Sequence, residues 1–407
     1  MTLQTALSGL LGAQTGLNTV SNDLANASTT AYKSQTALFE DLFPANSRNT
    51  PGIGTATEGI SSDLTQGDLV STGNSLDAAI QGNGYFIISN NGTQQYTRDG
   101  AFQLSNSGQL ETLNGASLLG YANTNGVAGG TLGPISINTG AVAANASTKI
   151  GATLDLNSGD KQIPSTTTFD PTDPSTYSES TSVVTYDSLG NADRVQLYLV
   201  QNQPATAGTT PSWTVYAQPE LSDGTAVGTP QTLTTLDFSS SGALTSGSPA
   251  TLNVNWGNGA AASNVAFDFS GTTLSAQDFG VANVTNDGYA SGSYTGCTIA
   301  ADGSVEASYS NGQTVSAGQI ALANFINPEG LTPVSGNLFT TSSSSGEPAV
   351  NTPGSGLAGT LSGGNLEASN ASTSSLLVSL IQYQQAYQAN TSVIQTEQQD
   401  SQRLVQI

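Results

Sequence analysis

The chain has 407 residues, of which 36% are hydrophobic and only 9% are charged, and its formal net charge is -22. With seven basic residues against 29 acidic ones, it lacks the positive surface that nucleic acid or an anionic membrane requires of a partner. Histidine is absent, so the commonest general base and metal ligand are missing, and we expect no catalytic site, metal site or cofactor.

The N-terminal segment carries the pattern of a helix that needs a partner. Large apolar residues recur every seven positions, at Leu3, Leu10, Leu17 and Leu24. Small apolar residues form a second row, at Ala6, Ala13, Val20 and Ala27. Three glycines lie between the rows, at Gly9, Gly12 and Gly16. The heptad predicts a helix that forms fully only when packed, because each glycine weakens an isolated helix by about 1 kcal/mol while it admits a close neighbour.

The position of the first basic residue and the number of cysteines bear on how the chain is exported and on whether it forms disulfides. Its first basic residue is Lys33, so we expect no cleaved secretory signal, and no apolar run is long enough for membrane insertion. The single cysteine, Cys297, excludes an intramolecular disulfide, and a buried packing role is favoured for it over a reactive thiol.

The middle of the chain is predicted to be all-β. Turn dipeptides such as Asn91-Gly92, Asp302-Gly303 and Asn311-Gly312 separate short β-branched and aromatic runs. Alternating runs at 194–200 (RVQLYLV), 213–217 (WTVYA) and 265–269 (VAFDF) predict half-buried antiparallel strands.

The C-terminal segment repeats the heptad with polar interruptions. Positions four and three apart are Leu376, Leu380, Tyr383, Tyr387, Asn390, Ile394, Glu397, Ser401 and Leu404. Glutamines occupy the other face, at Gln382, Gln384, Gln385, Gln388, Gln395, Gln398, Gln399 and Gln402. On periodicity alone this face suits either a water-filled lumen or the solvated side of a plain two-helix coiled coil.

The predicted fold class is mainly β with α-helical termini, in which the two terminal helices pair as an inner coiled-coil domain around nested, discontinuous β domains. Residues 1–30 and 366–407 are predicted to form the terminal helical domain, and 31–70 with 357–365 an extended linker region. Residues 71–146 and 285–356 form an inner β domain. Residues 147–284 form an outer inserted β domain.

A motif at 18–34, NTVSNDLANASTTAYKS, closely resembles the signature shared by flagellar rod, hook and hook-junction proteins. Its matching polar positions are Asn22, Asn26, Thr29, Thr30, Tyr32 and Lys33. Ala31 stands where that family commonly has glycine, so a positive φ there would strain the alanine.

Further blocks extend the resemblance through the inner β domain to the C-terminus. They include TQGDLVSTGNSLDAAIQGN at 65–83, YTRDGAF at 96–102 and LEASN at 366–370. Blocks at 185–191 (TYDSLGN), 309–313 (YSNGQ) and 319–331 resemble hook proteins in particular, and distal-rod proteins are shorter.

The resemblance implies a non-enzymatic subunit of the flagellar hook, part of the extracellular flagellum next to the basal body. It would polymerise into a hollow, flexible tube that acts as a universal joint in motility. The implied polymerisation seam is Leu3, Leu10, Leu17, Leu24, Leu376, Leu380, Tyr383, Tyr387, Ile394 and Leu404. The implied partners are further copies of the chain, the distal rod protein, the hook cap protein, the hook-filament junction protein and the flagellar type III export apparatus. The alternatives are a distal rod or hook-junction protein and, in another class, a secreted β-rich adhesin.

Overall fold

The computed structural model describes residues 2–43, 52–124, 127–204 and 209–405. The chain divides into two compact units. Unit 1 comprises residues 1–139, 295–308 and 314–407, and unit 2 comprises residues 140–294 and 309–313. Unit 2 is thus an insertion in the sequence of unit 1, while the finer division into four regions stays a prediction.

The chain begins and ends in helices and is built of strands between them. The elements up to the insertion are α1 (Thr2–Ala25), β1 (Gln35–Leu42), β2 (Gly54–Ser62), β3 (Leu69–Ser71), β4 (Ala78–Gln81), β5 (Tyr85–Asn90), β6 (Thr93–Thr97), β7 (Phe102–Leu104), β8 (Leu110–Thr112), β9 (Ser117–Thr124) and β10 (Val127–Pro134). Those of unit 2 are β11 (Lys149–Asn157), β12 (Glu179–Tyr186), β13 (Ala192–Gln203), β14 (Ser212–Glu220), β15 (Gln231–Phe238), β16 (Leu244–Ser246), β17 (Ala250–Val254), β18 (Ser263–Asp268), β19 (Thr273–Ser275) and β20 (Gly280–Asn286). The rest are β21 (Tyr294–Ile299), β22 (Ser304–Tyr309), β23 (Thr314–Ile320), β24 (Leu322–Asn324), β25 (Thr332–Val334), β26 (Leu338–Thr340), β27 (Ala349–Asn351), β28 (Thr360–Gly363), β29 (Asn365–Glu367) and α2 (Thr373–Val405).

This arrangement confirms the predicted fold class, because the protein is mainly β and its terminal helices pack together. The predicted alternating runs lie inside β13 and β14 and along β18. Asn91-Gly92 joins β5 to β6, Asp302-Gly303 joins β21 to β22, and Asn311-Gly312 joins β22 to β23, as hairpin turns should.

The main sheet of unit 1 has the strand order β21-β22-β23-β9-β5-β6-β26-β25, with further strands off this path. Its core includes an aromatic group in which Phe325 meets Tyr85 and Tyr96 edge to face, at ring-centroid distances of 5.9 and 4.9 Å. Two short ladders join the N- and C-terminal parts of the chain: β4 pairs with β28, and β3 pairs with β29.

A separate antiparallel hairpin, β1–β2, lies in the region predicted as an extended linker. Its register shifts between Leu38 and Phe39, which marks a β-bulge. The hairpin packs against α1.

Unit 2 is a β-sandwich. One sheet runs β12-β13-β14-β15-β16, and the other contains β17-β18-β11-β19 with β20 paired to β11. Alternate residues of each sheet point into a shared core, in which Trp213 and Val215 of the first sheet join Leu154 and Phe267 of the second, all fully buried. Burial on a period of two residues is what the alternating sequence pattern predicts.

Candidate assembly surface and its anchoring cluster

The two terminal helices are held together through two glycines of α1. The missing side chain of Gly9 leaves room for the amide of Asn390, and that of Gly16 leaves room for the ring of Tyr383. These pairs place α1 and α2 antiparallel, with each step of seven residues along one helix matched by seven along the other. The heptad spacing therefore brings the helices of one chain together.

The third glycine of α1 faces a different neighbour. A β-carbon at Gly12 would meet the ring of Phe39 and the methyl group of Thr55, both at 3.4 Å. The backbone N–H of Thr55 also donates to the Ser8 hydroxyl at 3.2 Å. The β1–β2 hairpin therefore covers a second side of α1.

The two apolar rows of α1 differ in burial. The small row is enclosed, since Ala6, Ala13 and Val20 are only 5–6% exposed. The large row is not: Leu3 is 48% exposed, and Leu10, Leu17 and Leu24 are half-buried. The sequence pattern missed two further exposed leucines, Leu7 and Leu11, at 49% and 55%. A single chain thus leaves several leucine side chains of α1 exposed.

Helix α2 has no fully buried side chain over its described residues. Of its predicted seam, Leu376, Leu380, Tyr383 and Ile394 are half-buried and Tyr387 is exposed, while the side chain of Leu404 lies outside the described part. Apolar residues off the seam are also exposed, at Leu377, Val378, Ile381 and Val393. The eight glutamines of the polar face are all exposed.

The N-terminal motif builds the exit from α1 around a buried carboxylate that the sequence analysis did not single out. Asp23 is 1% exposed and accepts hydrogen bonds from the Tyr32 hydroxyl at 2.8 Å and from the Gln35 N–H at 3.0 Å. Asn22 donates to the Tyr32 oxygen at 3.0 Å. Burial raises the pKa of Asp23, because the hydrogen bonds offset only part of the desolvation. The pKa of Tyr32 is also raised, by burial and by the neighbouring carboxylate.

The remaining motif residues shape the turn that follows. Asn26 donates to the carbonyl of Asn22 at 3.0 Å and accepts from the Thr29 hydroxyl at 3.1 Å. The carbonyl of Thr30 accepts from Asn337 at 2.7 Å. The Asn26 bond to the Asn22 carbonyl is a local side-chain bond to the backbone, of the kind that competes with helix.

Ala31 adopts a left-handed backbone conformation, with φ of 55°. The departure from glycine noted in the sequence therefore falls at a position that favours glycine. The alanine side chain is 2% exposed, and its N–H donates to the carbonyl of Glu367 at 2.8 Å.

Three family-like blocks meet at one buried ion cluster, which we call the anchor cluster and which consists of Lys33, Arg98 and Glu367. Glu367 Oε1 accepts from Lys33 Nζ at 2.5 Å, and its Oε2 accepts from Arg98 Nε at 3.0 Å. The Glu367 side chain is fully buried, and those of Lys33 and Arg98 are 3% and 6% exposed. Burial lowers the pKa of Lys33 despite the opposing effect of Glu367. Each cluster member comes from a different, sequence-distant segment.

The segment after Glu367 is bonded on both sides. Ala368 N–H donates to the carbonyl of Asp68 at 2.8 Å. Asn370 accepts from the N–H of Ser34 at 2.8 Å and donates to the carbonyl of Asp63 at 2.8 Å. The segment that enters α2 is therefore hydrogen-bonded both to the segment that precedes β1 and to the one that joins β2 to β3.

The described residues contain no cluster typical of a metal site, and their one cysteine is buried. Over those ranges no group of three or more acidic, cysteine or histidine side chains could hold a metal ion. Burial raises the pKa of the Cys297 thiol to about 11, so it is protonated at neutral pH. Across the described helices, none has both the length and the apolar character needed to cross a bilayer.

Three sequence-family models match the chain. They are the flagellar hook protein FlgE/F/G D1 domain at residues 79–153, the flagellar basal body protein FlaE D2 domain at 153–289, and the flagellar basal body rod FlgEFG protein C-terminal at 362–407. Among solved structures, the hook protein FlgE2 of Helicobacter pylori matches with a TM-score of 0.56 and 14% identity, over 74% of this chain and 99% of that one. At that identity the likeness supports the fold alone.

Curated relatives match along the whole chain. The flagellar hook protein FlgE of Salmonella typhimurium and that of Escherichia coli are each 36% identical over 100% of both proteins. That of Brucella abortus is 31% identical over 97% of this chain and 95% of its own. Identity at this level over the full length shows that the chain belongs to the flagellar hook protein family.

Proposed function

We propose that this protein is the structural subunit of a flagellar hook and that it polymerises through α1 and α2. The observation that carries the proposal is the unequal burial of α1. Its row of small apolar residues is buried by contacts within the chain, whereas Leu3, Leu7 and Leu11 are about half exposed along one face. A soluble monomer gains nothing from such a stripe, whereas a polymer buries it against neighbouring subunits.

The polymer is a hollow, flexible tube that works as a universal joint between motor and filament. In this proposal the exposed glutamines of α2 line a water-filled lumen and are not the solvated side of a plain two-helix coiled coil. Its further partners are the distal rod protein, the hook cap protein, the hook-filament junction protein and the flagellar type III export apparatus. The subunit is extracellular and has no enzymatic role.

The test is assembly of the purified full-length chain with the leucine stripe altered. Burying the exposed half of two leucines contributes about 1.5–3 kcal/mol, so a Leu7→Gln/Leu11→Gln variant should raise the critical concentration for polymerisation by about 10- to 100-fold. Both side chains are about half exposed in the single chain, so its unfolding temperature should fall only slightly. Leu189→Gln, at a residue 60% exposed in unit 2, is the matched control. Equal assembly of the stripe variant and the control would contradict the proposal.

A rod protein is the second candidate, because the family model that matches residues 362–407 is described as that of a flagellar basal body rod protein. Electron microscopy of the same polymers separates the two. Curved tubes that bend support a hook, and straight, stiff rods support the alternative.

A further inference from the structure

The sequence contains six Asn-Gly pairs, at which an asparagine side chain can react with the backbone nitrogen that follows it. The reaction requires that nitrogen to approach the carboxamide carbon, and glycine hinders the approach least because it has no β-carbon. Within the described residues the pairs are Asn83-Gly84, Asn91-Gly92, Asn114-Gly115, Asn258-Gly259 and Asn311-Gly312. The pair at 125–126 lies outside them. Since the reacting groups are the same in every pair, the surroundings of each pair decide which one reacts in the folded protein.

Two of the pairs, both in unit 2, have their carboxamide held by hydrogen bonds. Asn258 donates to the carboxylate of Asp187 at 2.8 Å and accepts from the N–H of Ala260 at 3.0 Å. Asn311 donates to the carbonyl of Ala290 at 2.7 Å. A carboxamide fixed in this way has to break its bonds before its carbon can turn towards the backbone.

A third pair, Asn83-Gly84, is held by its backbone. The carbonyl of Asn83 accepts from the N–H of Gly359 at 2.7 Å, and the carbonyl of Gly84 accepts from Arg98 at 2.8 Å. Gly84 is also buried. The peptide unit between the two residues therefore cannot rotate without loss of these bonds.

The pair Asn91-Gly92 forms the tip of the β5–β6 hairpin and is held by much less. Both residues are exposed, and their φ angles of 50° and 84° are typical of the tight turns in which both central residues are left-handed. The carboxamide of Asn91 donates to the side chain of Asn90 at 3.3 Å and has no other partner among the described residues. Over the same residues, the N–H of Gly92 has no acceptor.

The pair Asn114-Gly115 is a close structural match that differs in one hydrogen bond. Both of its residues are exposed, as at the hairpin tip. The N–H of Gly115, however, donates to the carbonyl of Thr112 at 2.8 Å. Such a bond has a net strength of about 1 kcal/mol, which corresponds to a rate difference of about fivefold if it must break before the nitrogen reacts.

We propose that Asn91 is a site of spontaneous deamidation in the folded protein. The backbone nitrogen of Gly92 bonds to Cγ of Asn91, the bond from Cγ to Nδ2 breaks, and the proton of the Gly92 N–H leaves with Nδ2 as ammonia. Water then opens the resulting cyclic imide by adding its hydroxyl to one of the two carbonyl carbons and its proton to the nitrogen. The reaction consumes one water, releases one ammonia and needs no oxidant, cofactor or enzyme.

The two possible products differ in their effect on the hairpin. Opening at the backbone carbonyl gives isoaspartate, which routes the main chain through the former side chain and lengthens the turn. Because turn length sets hairpin register, this product should disturb the pairing of Asn90 with Thr93. Opening at the side-chain carbonyl gives aspartate, and Asp-Gly supports the same type of turn. Either product adds one negative charge to the exposed tip.

The experiment follows deamidation of the full-length protein at neutral pH, both folded and unfolded in denaturant, with site-resolved mass spectrometry. For each asparagine, the ratio of the folded rate to the unfolded rate removes the effect of neighbouring sequence. The ratio at Asn91 should exceed that at Asn114 about fivefold, because only Gly115 has its N–H bonded. The ratios at Asn83, Asn258 and Asn311 should be lower than that at Asn91.

A pair of variants gives a second readout. Ageing of the folded wild type should produce acidic forms that isoelectric focusing resolves. Asn91→Asp, which keeps an Asp-Gly turn and cannot deamidate at this position, should remove most of that further acidification. Asn114→Asp is the matched control and should leave most of it in place.

A ratio at Asn114 equal to or above that at Asn91 would overturn the inference. So would a folded protein that stays intact at Asn91 while the unfolded chain deamidates there, or equal effects of the two variants. The inference goes beyond the proposed function and does not depend on it, since every measurement is made on the unassembled chain.

Discussion

Lys33 and Glu367 are 334 positions apart in the sequence, yet their side chains form a buried ion pair at 2.5 Å, in which Glu367 also binds Arg98. A buried carboxylate between two cations is stable only while all three are present, because each charge has lost its hydration. The pair joins the exit of α1 to the entry of α2.

Glu367→Gln should therefore destabilise unit 1 strongly, by about 3–5 kcal/mol, because it leaves two buried cations without their counter-ion. The measurement is the free energy of unfolding in denaturant. Glu220→Gln is the control, since it breaks the partly exposed Arg194–Glu220 pair, whose side chains are 47% and 21% exposed. That pair should contribute less than about 1 kcal/mol. Similar losses of unfolding free energy in both variants would show that the anchor cluster contributes no more to stability than the partly exposed pair.

Two glycines of α1 should respond in opposite directions to alanine. Alanine favours an exposed helix over glycine by about 1 kcal/mol. At Gly12 the added carbon makes ordinary contacts at 3.4 Å, so Gly12→Ala should be neutral or stabilising by up to about 1 kcal/mol. At Gly16 it overlaps the ring of Tyr383, so Gly16→Ala should destabilise the helix pair by about 1–3 kcal/mol. Helicity by circular dichroism and unfolding in denaturant report the difference. A stabilising Gly16→Ala would contradict the pairing of Gly16 with Tyr383.

Ala31→Gly should stabilise the protein by about 0.5–1 kcal/mol. A left-handed conformation strains alanine by about 1–2 kcal/mol, and the extra freedom of glycine in the unfolded chain offsets about half of this. Ala37→Gly, at a buried strand position without a positive φ, is the control and should destabilise. Thermal unfolding of both variants shows whether each substitution raises or lowers stability. A destabilising Ala31→Gly would argue against strain at this turn.

Asp23 should make the protein less stable as the pH rises through the acidic range. Burial raises its pKa above the ordinary value of 3.8, so the folded state binds a proton that the unfolded state has already lost. Its contribution is fully present below pH 3.8 and is lost as the pH rises through the raised pKa. Many other carboxyl groups titrate in the same range, so the quantity to measure is the difference in unfolding free energy between the wild type and Asp23→Asn as a function of pH. A difference that does not change with pH would contradict the raised pKa.

The local patterns in the sequence predicted local structure well. Heptads gave both terminal helices, alternation gave β13 and β14, and the Asn-Gly and Asp-Gly pairs gave hairpin turns. These features depend on neighbours a few residues away, and such neighbours are visible in one sequence.

The anchor cluster was harder to predict from the sequence, because its three residues are distant from one another along the chain. Glu367 and Arg98 lay inside quoted blocks, but nothing local shows that one carboxylate serves Lys33 and Arg98 together. A heptad also cannot tell a partner helix of the same chain from one of a neighbour. The heptad therefore predicts one seam at positions 3, 10, 17 and 24, whereas the structure shows that the row of small apolar residues faces inward and that Leu7 and Leu11 are also exposed.

The dense bonding of the segment from Glu367 to Asn370 has a mechanical consequence. A pull on α2 reaches the β-sheets through the β3–β29 ladder, the anchor cluster and the Asn370 amide at the same time. Attachments that are loaded together share the force, and none of them extends far before it breaks. The connection should thus stay stiff under torque up to a threshold and then yield abruptly, so bending of a polymer has to take place elsewhere than at this junction.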